Sequence, residues 1–230
     1  MSEYITESVY FGVILSITAY LLGSYIKKKT KIALLNPLLL SILFCILVLS
    51  VGGIPYEAYN SSASYISYLL TPATICLAIP LYRQFELLKQ STAAILSGII
   101  SGVLTGIGSV FILSKLFGLS PAYFVTLMPK SVTTAIGMGI SEEYGGYTTI
   151  TVAAIVITGI LGHIISEAVL KLFRITHPVA KGIAIGSASH AIGTAKAVSL
   201  GEIEGAMSSL SIALSGIFTV VFSSIFVHLY

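Results

Sequence analysis

Two short stretches in the second half of the chain place ionisable and hydroxyl side chains within otherwise apolar sequence. Residues 129–134 read PKSVTT and residues 187–191 read SASHA. A lysine, several hydroxyl donors and the unpaired amides at the beginning of a helix all favour a bound anion. The pattern predicts a site for a small organic anion such as a carboxylate. The predicted binding side chains are Lys130, Ser131, Thr133, Thr134, Ser187, Ser189 and His190.

Small residues beside both stretches allow the backbone to approach a ligand closely. They are Gly137, Gly139, Gly186 and Gly193, which have no Cβ atom to hold a neighbour away. The same property also serves close helix packing, so these glycines do not by themselves identify a ligand.

Two routes to ion coupling remain open. A proton would need ionisable carriers, and His190 is one candidate. His163 and Glu167 are a second candidate pair, because residues four apart share one helix face. A sodium ion bound by backbone carbonyls is the other route. Each of these residues also has a structural interpretation in place of a functional one. Lys130 would reach the membrane interface, and His190 would serve only in packing. His163 and Glu167 would form hydrogen bonds with neighbouring helices.

The composition requires a lipid environment for the elements that carry these residues. Hydrophobic residues make up 56% of the 230 positions, charged residues make up 9%, and neither Asp nor Trp occurs. Soluble domains carry about 25% charged residues, which cover their apolar cores. The sequence therefore predicts an all-α integral membrane protein whose partners are the bilayer and a small anion, with no nucleic acid, cofactor or metal. Cys45 and Cys76 lie in apolar runs and are predicted to be structural.

Six apolar segments are long enough to cross a bilayer, which takes about 20 residues. They are Val9–Ile26, Ile32–Val51, Ser62–Tyr82, Ser91–Leu113, Thr148–Leu170 and Gly205–His228. The third contains Pro72 and Pro80 and is predicted to pack against other helices. We predict two parts, a scaffold of four spans at residues 1–117 and a transport region at residues 118–230.

Residues 121–147 and 178–204 are predicted to be re-entrant hairpins, called here the first hairpin and the second hairpin. Each has two short apolar arms around a small, hydroxyl-rich centre. With six spans, two hairpins and an external N-terminus, ten of the twelve basic residues fall on the cytoplasmic side. Lys115 lies outside, and Lys130 lies within the first hairpin.

An internal repeat favours the same topology. Residues 131–137 align with residues 187–193 at an offset of 56, and residues 158–160 align with residues 215–217 at an offset of 57. The repeating unit is one hairpin followed by one span, so the second copy is inverted in the membrane. Inverted repeats with broken helices near the midplane are typical of secondary transporters.

Motifs of membrane-embedded hydrolysis are absent from the sequence. There is no His-Glu-x-x-His pattern, no Gly-x-Ser-x-Gly elbow and no phosphate loop that ends in Lys-Ser/Thr. We therefore expect that the chain is not an enzyme.

Three runs carry a resemblance to a known family. They are residues 128–134 (MPKSVTT), residues 186–194 (GSASHAIGT) and residues 204–210 (EGAMSSL). In these runs the chain resembles the LrgB/CidB family, whose members are about this long, and the resemblance is strongest after Leu119. The second run adds Thr194 to the predicted binding residues.

The resemblance implies two functions of different classes. Bacterial members are named antiholin-like or holin-like and are linked to control of murein hydrolases and autolysis, usually with a small LrgA/CidA-type membrane partner. A related plastid protein carries glycolate and glycerate, and bacterial relatives are associated with pyruvate. We further predict a homo-oligomer in the bacterial inner membrane. This protein would either transport a short 2-oxo or 2-hydroxy acid, the reading favoured by the polar tips and the repeat, or regulate autolysis by assembly.

Overall fold

A computed structural model describes residues 8–30, 32, 35–69, 72, 75, 76, 78–83, 86, 89 and 92–230. All regular elements in these residues are helices. The chain forms two compact units, Met1–Cys76 and Leu77–Tyr230.

The first unit contains α1 (Phe11–Thr30), α2 (Pro37–Gly52) and α3 (Tyr56–Ser67). Asn36 begins α2, because its side chain accepts a hydrogen bond of 2.8 Å from the Leu38 amide. Gly53 ends α2 in the left-handed conformation that favours glycine, at φ 61°. α1 and α3 meet where the Gly12 amide donates to Ser62 Oγ over 2.8 Å.

The second unit contains three long helices and several short ones. They are α4 (Ala78–Arg83), α5 (Thr92–Leu116), α6 (Pro121–Leu127), α7 (Thr134–Glu143), α8 (Thr148–Leu172), α9 (Pro178–Leu200) and α10 (Glu202–Leu229). One face of α5 is buried at Ile95, Ile99, Val103 and Ile107, at the four-residue spacing of a helix stripe. These side chains join Phe124 and Met207 in the core.

Three of the described helices are long and apolar enough to cross a membrane, namely α5, α8 and α10. They contain 25, 25 and 28 residues and cover the fourth, fifth and sixth predicted spans. α1 and α2 cover much of the first two predicted spans, although α2 has only 16 residues. Part of the third predicted span, Ser62–Tyr82, lies outside the described residues, so the count of six stays a prediction.

The first hairpin folds back on itself. α6 ends at Leu127, residues 128–133 are not helical, and α7 begins at Thr134. The rings of Tyr123 and Tyr147 lie 5.3 Å apart, and the Tyr147 amide donates to Thr126 Oγ1 over 2.8 Å. The beginning and the end of this segment therefore lie together, and its tip is residues 128–133.

The second hairpin turns at His190, which interrupts α9 at φ 41° and ψ −141°. Residues 178–189 form its entering arm and residues 191–200 form its returning arm. The entering arm follows α10 from Glu204, beside Gly182, to Ser208, beside Gly186. The returning arm follows the same stretch in reverse, because Thr194 bonds to Ser208 and Val198 contacts Gly205. Both arms thus lie beside the first third of α10.

The two hairpins approach from opposite ends of the second unit. The first hairpin lies at the C-terminal end of α10, where the rings of Phe124 and Tyr230 stack 4.4 Å apart. The base of the second hairpin lies at the beginning of α10, where Lys181 pairs with Glu204 over 3.8 Å. A helix of this length spans about 40 Å, at 1.5 Å per residue. Because each segment folds back, the two tips meet between these ends.

Candidate functional site between the two hairpin tips

A cavity of about 570 Å³ lies where the two tips meet α5, and it is called here the tip cavity. Its polar lining comes from Ser101, Thr105, Ser109, Lys130, Ser131 and Ser187. The remaining lining residues are Ala94, Gly98, Gly102, Gly106, Ala180, Ile183, Ala184 and Ala188. Small side chains keep the space open, and hydroxyl groups supply hydrogen-bond donors around it.

Lys130 is the one charged side chain that lines the tip cavity among the described residues. It is half-buried, and its Nζ donates to Ser131 Oγ over 3.2 Å. Met128 and Val132, on either side, are each 2% exposed and anchor the tip in the core. The neighbours therefore fix the backbone while the ammonium group stays directed at the cavity, which suits an anion.

Ser187 reaches the cavity from the entering arm of the second hairpin. Its hydroxyl donates to the Ile183 carbonyl over 2.7 Å, so the oxygen can still accept a hydrogen bond. A Cβ atom on Gly102 would lie only 2.9 Å from Ser187 Oγ. The glycine thus lets α5 approach this serine closely.

A smaller space of about 10 Å³, called here the inner chamber, lies behind the tips. Its polar lining is Ser131, Ser187, Ser215 and Thr219, and its other lining residues are Gly102, Val103, Gly106, Ile107, Met128 and Val132. Ser131 and Ser187 also line the tip cavity, so the two spaces share a wall. Within the described part of the chain, the buried Ser215 Oγ has no hydrogen-bond partner. A buried hydroxyl without a partner is costly, so this group is suited to bond a single water molecule, the most that a space of this size holds.

Ser189 and His190 lie against α8, on the side away from the tip cavity lining. Gly162 contacts the Ser189 hydroxyl. His190 is 4% exposed, and its Nε2 donates to the Ile155 carbonyl over 2.9 Å. Gly159 leaves space for the ring, since a Cβ there would lie 2.8 Å from it. The geometry gives His190 a clear structural contact, and its predicted role in binding or proton transfer stays a prediction.

The other predicted residues have packing or pairing partners. Thr194 donates to the His190 carbonyl over 3.0 Å and shares a hydrogen bond of 2.7 Å with Ser208. The His163 ring contacts the Ile192 carbonyl over 3.2 Å, and Glu167 pairs with Lys196. Gly186 and Gly193 allow close packing within the second hairpin and against α10.

Near the first tip, Thr133 precedes α7 without a side-chain cap, and Thr134 is its first residue. Gly137 packs against Ile155, whereas Gly139 has open space where a Cβ would lie. The structure thus brings together Lys130, Ser131 and Ser187 at one cavity, and the other predicted site residues do not line it.

The comparisons with known proteins agree on one family. The profile of the LrgB-like family matches residues 16–229. An antiholin-like protein LrgB from Bacillus cereus (strain B4264) is 40% identical over 217 residues, which are 94% of each chain. A protein of the same name from Bacillus anthracis (strain A0248) has the same identity and coverage. The chain belongs to the LrgB-like family.

The LrgB-like match confirms the resemblance found in the sequence, and it includes both hairpins and all three long apolar helices. With those helices, the chain is a helical membrane protein. The names of these relatives describe them as antiholin-like and mention no substrate. No solved structure matches the chain.

Residues outside the predicted set also line the two spaces. α5 contributes Ser101, Thr105 and Ser109, and α10 contributes Ser215 and Thr219. A sequence signal exists for each helix, because these hydroxyl residues recur at intervals of four and so share one helix face. Because α5 was assigned to the predicted scaffold, these hydroxyl residues were not among the predicted binding residues.

Proposed function

We propose that this chain is a secondary transporter of a small organic anion, of the monocarboxylate class, and that it performs no catalysis. One observation carries the proposal: two hairpins from opposite ends meet at a polar cavity with one lysine. Broken helices that meet near the midplane are typical of secondary transporters. A charged residue within a membrane protein is costly and marks a functional site.

In the proposed complex, Lys130 pairs with the carboxylate. Ser131 and Ser187 add hydrogen bonds, and the pair offsets part of the cost of removing both charges from water. A small monocarboxylate of five or six heavy atoms, the size of glycolate, lactate or pyruvate, fits easily in about 570 Å³. The cavity is larger than such a substrate, so water fills the remaining space.

We further propose that the base of the second hairpin faces the cytoplasm of a bacterium. Lys171, Arg174, Lys181 and Lys196 belong to this end, whereas Lys115 lies at the other end beside Tyr230. This asymmetry follows the positive-inside rule. We also propose that the N-terminus is external and that transport is coupled to a proton or a sodium ion.

Uptake of radiolabelled pyruvate, lactate and glycolate into proteoliposomes tests the transport proposal. The parent is expected to accumulate at least one of them. Lys130→Met abolishes that uptake, and Lys130→Arg reduces it, because the guanidinium keeps the charge but not the shape. Lys115→Met is the matched control, since Lys115 lies far from the tips and contacts Tyr230.

Uptake that survives Lys130→Met unchanged would remove the lysine from the mechanism. If the parent takes up none of the three acids, the proposed substrate class is wrong.

A second candidate is an antiholin-like regulator that acts by assembly, as a homo-oligomer or with a small LrgA/CidA-type subunit. The names of the relatives support this candidate more directly than transport, because both are called antiholin-like at 40% identity. Both activities can be measured in the same bacterial strain, which distinguishes the two functions. A transport-inactive Lys130→Met protein that still restrains autolysis supports assembly, whereas joint loss of both activities supports transport as the cause.

A further inference from the structure

A second cavity, of about 370 Å³, lies at the base of the second hairpin and is called here the base cavity. It lies at the end of α8 and the beginning of α9, and it shares no lining residue with the tip cavity. Its lining residues are Glu167, Leu170, Lys171, Arg174, Ile175, Thr176, Lys181 and Leu200. Three of them are apolar and three are basic, so the cavity is apolar inside and cationic at its rim.

Positive charge exceeds negative charge at this cavity. Glu167 pairs with Lys196 and, over 3.9 Å, with Lys171, and Glu204 pairs with Lys181 over 3.8 Å. With Arg174, four basic side chains thus meet two carboxylates, which leaves two positive charges in excess. An anion that enters the cavity would balance this excess.

Arg174 has an unusual backbone and an available guanidinium group. It lies just after α8 at φ 53°, a conformation that usually requires glycine. Among the described residues only His190, at the second tip, is another non-glycine residue with positive φ. The guanidinium has no hydrogen bond or ion pair within the described part of the chain. A strained arginine without an internal partner indicates a partner outside the chain.

We propose that the base cavity binds the phosphate group of an anionic phospholipid. The planar guanidinium of Arg174 matches two phosphate oxygens, and Lys171 and Lys181 add point charges. The source is a lipid because the cavity floor, Leu170, Ile175 and Leu200, is apolar. Leu172 and Phe173, beside it, are 76% and 70% exposed, which suits contact with acyl chains. This site does not depend on the transport proposal.

Native mass spectrometry of the detergent-purified full chain tests the site, with phosphatidylglycerol and phosphatidylcholine titrated separately. The parent is expected to bind phosphatidylglycerol more tightly than phosphatidylcholine. Arg174→Gln weakens phosphatidylglycerol binding about tenfold or more, the effect of losing a hydrogen-bonded charge pair. Arg83→Gln is the matched control, because Arg83 pairs with Glu202 at the same end but does not line the cavity.

A second variant separates binding from folding. Arg174→Gly removes the charge and accepts the left-handed backbone, so the lipid-free protein unfolds at the same or a higher temperature. Its stabilisation by phosphatidylglycerol is nevertheless lost. Equal binding of the two lipids, or full binding by either Arg174 variant, would refute the site. Saturation by inorganic phosphate or glycerol phosphate, with no further binding of lipid, would assign it to a soluble anion instead and overturn the lipid.

Discussion

His190 shows how single residues fix the second tip. The residue adopts positive φ, and its ring donates to the carbonyl of Ile155 in the middle of α8. The ring fits only because Gly159 has no side chain. The tip position thus depends on a glycine in a different helix.

A substitution at Gly159 tests this dependence. Gly159→Ala places a Cβ 2.8 Å from the ring, so the tip must shift, and we expect a cost of about 1–3 kcal/mol from overpacking. Gly139→Ala is the control, because nothing lies within 4 Å of a Cβ there and alanine favours a helix. Thermal unfolding of both variants is the measurement. A Gly159→Ala protein as stable as the control would contradict the proposed contact.

Ser215 and Ser223 form a second matched pair on α10. Both hydroxyls are buried without a partner in the described residues, but only Ser215 lines the inner chamber. We expect Ser215→Ala to weaken anion binding by about 1 kcal/mol, through the loss of a water that bridges its hydroxyl to the anion, without loss of thermal stability. Ser223→Ala should leave affinity unchanged. Calorimetric titration with the transported acid measures both, and equal effects would exclude a specific role for the chamber.

Residue types predicted a set of binding side chains, but not which way each of them faces. Lys130, Ser131 and Ser187 meet at the tip cavity, and their role in binding stays a prediction. Ser189 is two residues beyond Ser187 on the same arm, and residues two apart on a helix point to different sides. It therefore contacts Gly162 of α8, while Ser187 faces Gly102 of α5. Sequence spacing could have indicated this division.

Hydrogen bonds hold both hairpins, but among the described residues ion pairs hold only the second. In the first hairpin, the Thr151 hydroxyl lies 2.9 Å from the Thr126 carbonyl and 2.8 Å from the Ser141 hydroxyl. In the second hairpin, ion pairs join Lys181 to Glu204 and Lys196 to Glu167. Salt screens partly exposed ion pairs, but it hardly affects neutral hydrogen bonds.

Ionic strength should therefore loosen the second hairpin selectively. We expect amide hydrogen exchange in residues 191–204 to quicken as salt rises, while exchange in residues 121–147 stays constant. Lys196→Gln should reduce the salt dependence, because Glu167 then loses its close partner while the Lys181–Glu204 pair remains. Thr151→Val is the complementary variant and should speed exchange in the first hairpin at every salt concentration. Equal salt effects on both hairpins would contradict this difference.

At the scale of elements, apolar length predicted the long helices well and the interruptions less well. At the majority of their ends, α5, α8 and α10 extend one to three residues beyond the predicted spans. The prolines at 121 and 178 begin α6 and α9 as first-turn residues, a position that proline favours. The turn at His190 has no proline or glycine at that position, so tertiary contacts determine where the arm breaks.

At the scale of the whole molecule, the opposite approach of the hairpins agrees with the charge pattern. Five basic residues lie toward the beginning of α10, namely Arg83, Lys171, Arg174, Lys181 and Lys196. Glu142, Glu143 and Lys115 lie toward the other end, with exposed side chains. The division into compact units falls at Cys76, within the third predicted span, and residue types gave no sign of it. The functional division at residue 117 stays a prediction.

Cysteine accessibility tests this topology directly. Cys45 and Cys76 are first replaced by serine, and single cysteines are then introduced at Tyr123, Glu143 or Arg174. Because Tyr123 contacts Tyr147 just beyond Glu143, we expect Tyr123→Cys and Glu143→Cys to react with an impermeant maleimide from the same side of the membrane. Arg174→Cys should react only from the opposite side, since one spanning helix, α8, separates it from the first hairpin. If Tyr123→Cys and Glu143→Cys report opposite sides, the first hairpin crosses the membrane completely and the two tips cannot meet at one transport site.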